Sequence, residues 1–537
     1  MAGQIQQKPM LDFSKGENTV TSPYLIGPTQ AAQLINFILD EHGSLRVRDG
    51  TLIQTTSPDA ARRIVKIWDL QLVSGTRHRF AILRGTNGQK NTLYDRNTVP
   101  WTSKGDFTTT EDVPDAVNFT DRAIFAAGYE TPKYSNGGAL TALGGAPALP
   151  GAKHLVAHLG FLWAWNTAAT TTATDGKSSL RASDLNNTDS WPTASQTFIA
   201  KDDGQEGRGF GLFTIAETGI SPQATAIAFK DFSAYEISGV FGSATFAIQK
   251  IKSDMGCVAP RSVQFVSGLG IIRLTHKGFA LFDGVNDFLI SEEERPRLFG
   301  RDDYTGIDWS NVGLSYAAQV QNPPLYICAC PTASPGLTRF FIYDLIRKAW
   351  TVATFPNPVS TFETILNPAA VPIVMGGGFS DGKIRRYFAG DLDDDGVVIQ
   401  WTLRTRSLFG QNPLHRAYFR RMMMKLFGVQ TGRTVQARFV YGPLGKVIEK
   451  FVTKTIRAVT PLIPSPGGDG YGDDPYGDSG YGGVFSATEV VDRDLEFGIG
   501  VIANNLFVHV TGSGPGRLRG LDFHLRAKPP TGAATIQ

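Results

Sequence analysis

Twice in this chain an aromatic–aspartate pair is followed, six residues beyond the acid, by a tryptophan. NTLYDRNTVPW carries Tyr94, Asp95 and Trp101, and RFFIYDLIRKAW carries Tyr343, Asp344 and Trp350. A looser copy, LRASDLNNTDSW, has Asp184 with Trp191 one residue further out. GFALFDG (278–284) keeps the aromatic–aspartate pair without the tryptophan. A short acidic side chain hydrogen-bonds the backbone just beyond it and so sets a tight turn. The unit reads as a strand ending in an aromatic, an acid-held turn, and a tryptophan that opens the next strand and packs over the neighbouring blade. Repeated four-stranded sheets of this kind close β-propellers into a ring and leave only short, protected edges.

The surrounding texture agrees with many short strands. From Leu45 the hydrophobic period is two in segments such as RIVKIWDLQLV (63–73), HLVAHLGFLWAW (154–165) and SVQFVSGLGIIRLTHKGFALFDG (262–284). Gly 59 and Pro 30 of 537 residues supply the turns. The expected fold class is all-β: a propeller-like body over 46–395, with room for about six or seven blades of around 50 residues, and a second β domain, a sandwich, over 396–537. Residues 1–45 are expected to be an extended arm and one short helix, Thr29–Glu41, with Thr29 as N-cap and Ala31, Leu34, Ile35, Ile38 and Leu39 at helical spacing. The stretch 464–483, PSPGGDGYGDDPYGDSGYGG, cannot bury apolar surface and is expected to be a mobile loop or tip.

Little in the chain points to chemistry. The GxSxG elbow, the Walker loop, paired CxxC and a Gly-rich dinucleotide turn are all missing from the settings they need, so no enzyme activity, catalytic residue, cofactor or metal is expected. Asp391, Asp393 and Asp395 followed by Gly396 match the first half of a calcium loop. Ile399 and Thr402 stand where its later ligands belong, so an acidic turn is the preferred reading. His154 and His158 lie in a β-patterned run and are expected to pack. Cys328 and Cys330 share a strand face at a spacing too constrained for an ordinary disulfide; with Cys257 alone, a reducing cytoplasm is the expected folding compartment. The N-terminus lacks the apolar core of a secretory signal, and no apolar run is long enough for a membrane helix. With a net charge of +3, the one local basic cluster is Arg404, Arg406, Arg416, Arg420, Arg421 and Lys425. It would contact nucleic-acid phosphates or a neighbouring subunit.

The order AAQLINFILDEHGSLRVRDGT (with Asn36, Arg48 and Gly50), LYD with its tryptophan, and GCVAPRSVQFVSGLGIIRLTHKGFALFDG (with Gly256, Cys257, Ala259 and Ser262) resembles the tail hub or nozzle proteins of short-tailed bacteriophages over roughly 30–400. That resemblance implies a structural virion protein, assembled in the host cytoplasm into a homo-oligomeric ring, usually a hexamer, around the DNA exit channel below the portal and adaptor. Its partners would be adaptor or head-to-tail connector proteins, tail fibres or a needle. Double-stranded genomic DNA would pass without sequence-specific contacts, and no membrane insertion is implied. The alternative is a receptor- or glycan-binding propeller module of a tail fibre.

Overall fold

The computed structural model describes residues 5–85, 90–110, 113–145, 148–167, 176–215, 223–301, 304–334, 336–367, 369, 371–409, 416–441, 447–457 and 490–527. The stretch 464–483 lies outside them. The chain forms two compact units, one of residues 50–395 and the other of residues 1–49 and 396–537.

Residues 50–395 form a seven-bladed β-propeller. Five blades are consecutive four-stranded antiparallel meanders, opening with Ile64–Gln71, Asp115–Phe119, Ala152–His158, Gly207–Ile215 and Gln264–Val266. The last two share a strand. The 18-residue Ala349–Leu366 pairs through 349–354 with Leu337–Asp344 as the outermost strand of blade 6. Through 359–366 it pairs with Pro372–Gly378 as the innermost strand of blade 7. Pro356 and Pro358 mark the step between its two roles, where a missing N–H costs no ladder bond. Blade 7 is completed from the other end of the unit: Thr51–Thr56 pairs with Lys383–Tyr387 as its outer strand. Innermost strands neighbour one another round the whole ring, the 359–366 segment returning against Ile64–Gln71. A strand from the start of the unit thus fastens a sheet made at its end, and only short outer edges remain open.

The aromatic–aspartate repeats fall at one place in four blades, the turn from third to fourth strand. Asp344 Oδ1 accepts the Ile346 and Arg347 amides at 2.9 and 2.7 Å, and Asp283 Oδ1 accepts those of Val285 and Asn286 at 2.9 and 2.7 Å. Asp95 accepts from Asn97 at 3.0 Å, and the Asp184 amide donates to Ser190 O at 3.0 Å. Each tryptophan then packs on the preceding blade. Trp101 joins Ile365, Met375 and Ile384 of blade 7 and donates to Thr55 Oγ1 at 3.0 Å. Trp191 joins Phe119, Ile124 and Ala126 of blade 2. Trp350 lies 4.8 Å from the Phe279 ring of blade 5 and donates to Ile290 O at 2.6 Å.

The second unit is built by both ends of the chain. Ala417–Gln430 runs between Val490–Ala503 and Arg517–Ala527, and the far edge of Arg517–Ala527 takes Ile5–Met10 and Leu45–Val47. A second sheet has the order Gln33–Ile35, Gln400–Arg404, Asn505–Ser513, Thr434–Tyr441, Ile448–Thr455. Alternate residues of the two sheets are buried together, among them Phe419, Met422, Met424, Phe497 and Phe523 from the first and Leu403, Phe439, Val508 and Val510 from the second. Phe37 and Trp401 meet across them at 5.3 Å.

The expected helix Thr29–Glu41 is replaced by two short strands, Gln33–Ile35 and Phe37–Leu39, and a 3-10 turn, Glu41–Gly43. Asn36, at φ 64°, breaks the helical path. Leu34 and Ile38 are claimed by cross-strand partners Leu403 and Arg46, so sheet pairing overrides the local periodicity. The α-helix among the described residues is instead Arg295–Phe299, in the propeller. Residues 1–45 are likewise more than an arm, because Ile5–Met10 is a paired strand.

Candidate functional site

The innermost strands surround a central cavity of about 340 Å³ lined by charge and aromatic rings, including Lys66, Asp115, His154, Arg261, Tyr316 and Glu363. Arg261 Nη1 donates to Asp115 Oδ1 at 2.6 Å, and Asp115 also accepts the Ala116 and Leu155 amides at 2.7 and 2.9 Å. Lys66 Nζ donates to Glu363 Oε2 at 2.8 Å, and Tyr316 Oη to Val65 O at 3.1 Å. Burial pushes the Asp115 carboxyl up, but Arg261, with Lys66 and the Leu155 amide, outweighs it and holds it below its ordinary value. Burial raises Glu363, which Lys66 only partly offsets. Two carboxyls driven apart in this way are the usual ground for an acid–base pair. Here each carboxylate is engaged by a cation on another blade or blade junction, and the contacts tie blades 1, 2, 3, 5, 6 and 7 at the hub. Burial, with Arg261 alongside, drives the His154 imidazole down to about 3, so it is neutral.

A second cavity of about 350 Å³ lies beside Lys153, Glu206 and Arg208. Burial raises the Glu206 carboxyl, yet hydrogen bonds from Lys153 (2.7 Å) and Asn166 (2.8 Å) bring it down to about 2. Arg208 is satisfied by Asp231 at 2.7 Å.

The acidic turn at 391–395 is engaged by arginine. Asp391 forms a two-pronged pair with Arg386 (2.7 and 2.9 Å), and Arg385 bridges Asp395 and Asp381. Among the described residues no group of three potential ligands is placed to hold a metal ion. His154 and His158 sit on Ala152–His158, the latter 6.2 Å from the Trp163 ring. Cys257, Cys328 and Cys330 are buried free thiols.

The basic segment divides. Arg416, Arg420 and Lys425 are exposed, and Arg421 is half-buried, all on or beside Ala417–Gln430. Acids from the next strand answer two of them: Glu496 pairs with Arg421 at 3.2 Å, and Asp494 stands opposite Lys425. Arg404 ends a strand of the other sheet, Arg406 lies just beyond it, and both keep different company. Arg404 stands directly opposite His509, which stands directly opposite Arg438. The row lies on the side away from buried Leu403, Val508 and Ala437. Burial, followed by Arg404 and Arg438, brings His509 down to about 4. Burial and Arg406 also lower Lys8. Sequence reading missed His509 and Arg438, since only strand register brings them to Arg404; it also missed Lys8, which donates to Phe409 O at 2.7 Å.

The residues that carry the phage resemblance act structurally. Arg48 Nε donates to Asn36 Oδ1 at 2.9 Å, and Asn36 Nδ2 donates to Gln400 O at 2.6 Å. A Cβ on Gly50 would stand 1.8 Å from Asp393 O, and one on Gly256 2.1 Å from Lys230 O. Ser262 Oγ donates to Ala259 O (2.7 Å) and accepts the Leu274 amide (2.8 Å), latching blade 5.

No protein-family model matches the chain, and no curated protein matches it in sequence. Among solved structures, BBS1N in its complex with ARL6DN is 11% identical, with 64% of this chain and 99% of that chain covered, at a TM-score of 0.40. The exo-β-1,3-galactanase of Phanerochaete chrysosporium is 6% identical, covering 88% and 100%, at 0.25. Scores this low carry no argument; the propeller rests on the strand pairing described above. No helix among the described residues is long and apolar enough to cross a membrane.

Proposed function

We propose that the chain is a structural subunit that assembles with copies of itself into a closed ring, specifically the tail hub or nozzle ring of a short-tailed bacteriophage. The observation that carries the assembly is an uneven distribution of exposed aliphatic side chains on the propeller. Among the described residues of that unit, each valine, leucine or isoleucine more than half exposed lies in a turn at one end: Val73, Val99, Leu185, Val285, Ile346, Val371 and Leu392, at 52–91%. All seven turns follow a first or third strand, which run the same way in every blade. The turns at the opposite end carry no such aliphatic among the described residues; the large apolar side chain more than half exposed there is Phe232, at 53%, with its ring 4.9 Å from that of His276. Exposed apolar side chains gathered on one face mark an interaction surface, and a heterologous contact that closes is how one face is covered in a ring. The specific assignment is supported by the sequence resemblance over 30–400, by the propeller body, and by a surface weak enough in net charge to let DNA pass.

Sedimentation velocity tests the reading. The expected result is a species several times 58.2 kDa, reduced to monomer by Val99→Asp/Val285→Asp/Ile346→Asp with the circular-dichroism spectrum unchanged. A monomer at every concentration, before and after substitution and with tail partners present, would overturn it.

A further inference from the structure

Like charges set directly opposite one another in a sheet destabilise it. The sheet around Ala417–Gln430 avoids this by facing Arg421 and Lys425 with Glu496 and Asp494. The sheet containing Arg404 does not. Arg404, His509 and Arg438 occupy one register row on three adjacent strands, and His509 separates the two guanidinium groups without neutralising either. Arg406 lies two residues beyond Arg404, past the end of the strand, within electrostatic reach of Lys8, whose Nζ donates to Phe409 O at 2.7 Å. Among the described residues, the acid that meets this group is Glu449 at its edge, paired with Arg438, whose guanidinium also lies 5.7 Å from the Phe451 ring. The side-chain Nε atoms of Arg404, Arg406 and Arg438 have no hydrogen-bond partner.

We infer that the row Arg404–His509–Arg438 is a contact strip for the phosphate backbone of duplex DNA. Two strand spacings make the row about 10 Å long. A duplex presents about one phosphate charge per 1.7 Å of its axis, so the backbone meets the whole strip, whereas a small anion would satisfy one end. Arginine forks suit phosphate oxygens geometrically, and His509, neutral in the free protein, has ring N–H to donate. The strip reads no bases, which fits a passing genome. It deepens the tail-ring reading by placing the DNA partner on particular side chains, yet it stands on strand register alone.

The test is fluorescence anisotropy of the full chain with a 20-base-pair duplex of random sequence, across a monovalent salt series. Removing one cation that neutralises a phosphate lowers the slope of log affinity against log salt by about 0.9. Arg404→Gln/Arg438→Gln is therefore expected to lower it by about 1.8, with a melting temperature no lower than the parent's because a like-charge row has been relieved. Arg421→Gln/Lys425→Gln, whose cations already face acids, should leave the slope where it was. Absence of DNA binding, an unchanged slope in the first variant, or an equal drop in the second would overturn the inference. Mass measurement is blind to these outcomes, so the ring reading stands or falls separately.

Discussion

Replacing Trp350 tests the blade–blade contact most cleanly, because its ring and its N–H can be removed one at a time. The side chain is 1% exposed, lies tilted against Phe279 of the preceding blade at 4.8 Å and donates from Nε1 to Ile290 O at 2.6 Å. Truncating a buried tryptophan to alanine costs about 3–5 kcal/mol, from the packing it gives up and the cavity it leaves behind. Leaving the Ile290 carbonyl without its donor adds about 1–3 kcal/mol. Trp350→Ala should therefore cost about 4–8 kcal/mol. Trp350→Phe keeps an aromatic against Phe279 and gives up the hydrogen bond and a small part of the area, so about 1–3 kcal/mol is expected. With unfolding entropy of about 2.1 cal/mol/K per residue, the propeller's residues 50–395 give about 0.7 kcal/mol/K. The alanine variant should then melt about 6–11 °C lower in scanning calorimetry and the phenylalanine variant about 1–4 °C lower. Equal shifts for the two, or an alanine shift under about 2 °C, would refute the claim that this tryptophan fastens one blade to the next.

Three further outcomes are expected from the same body of interactions. His154 is neutral in the fold, with its pKa down at about 3 against an ordinary 6.5; in that window the unfolded chain binds the extra proton, so stability is full above pH 6.5 and falls on acidification. Urea titrations between pH 6 and 5 should show a dependence about 1 kcal/mol per pH unit shallower in His154→Gln, and an unchanged slope would contradict the burial argument. Gly256→Ala forces a Cβ to within 2.1 Å of Lys230 O and should cost at least about 2 kcal/mol by denaturant unfolding, whereas a neutral result would mean the junction of blades 4 and 5 has slack. Millimolar calcium should move the melting temperature by less than about 1 °C, because Arg386 and Arg385 already engage Asp391 and Asp395; a large calcium-dependent rise would show the loop to be a cation site.

The propeller was legible because its signal is local and repeated. Tyr94–Asp95–Trp101 and Tyr343–Asp344–Trp350 each encode a whole turn and its packing partner within a few residues. The Thr29–Glu41 segment misled for the opposite reason. Its apolar spacing satisfies a helix, but Asn36 in the left-handed region and partners some 370 residues away, such as Leu403, decide its form. Long-range pairing has no local signature. It also hid the closure of blade 7 by Thr51–Thr56 and the merging of residues 1–49 with the C-terminal sheets. The basic run was visible as composition, yet the facing of Arg421 and Lys425 by acids and of Arg404 by His509 depends on strands about 70 to 105 residues further along the chain.

Electron microscopy of the assembled particle tests the ring most directly. Several copies of this chain are expected about an axial channel, with the ends bearing Val99, Val285 and Ile346 buried against neighbouring protein. Isolated propellers at fibre tips, with those valines and that isoleucine facing solvent, would contradict it.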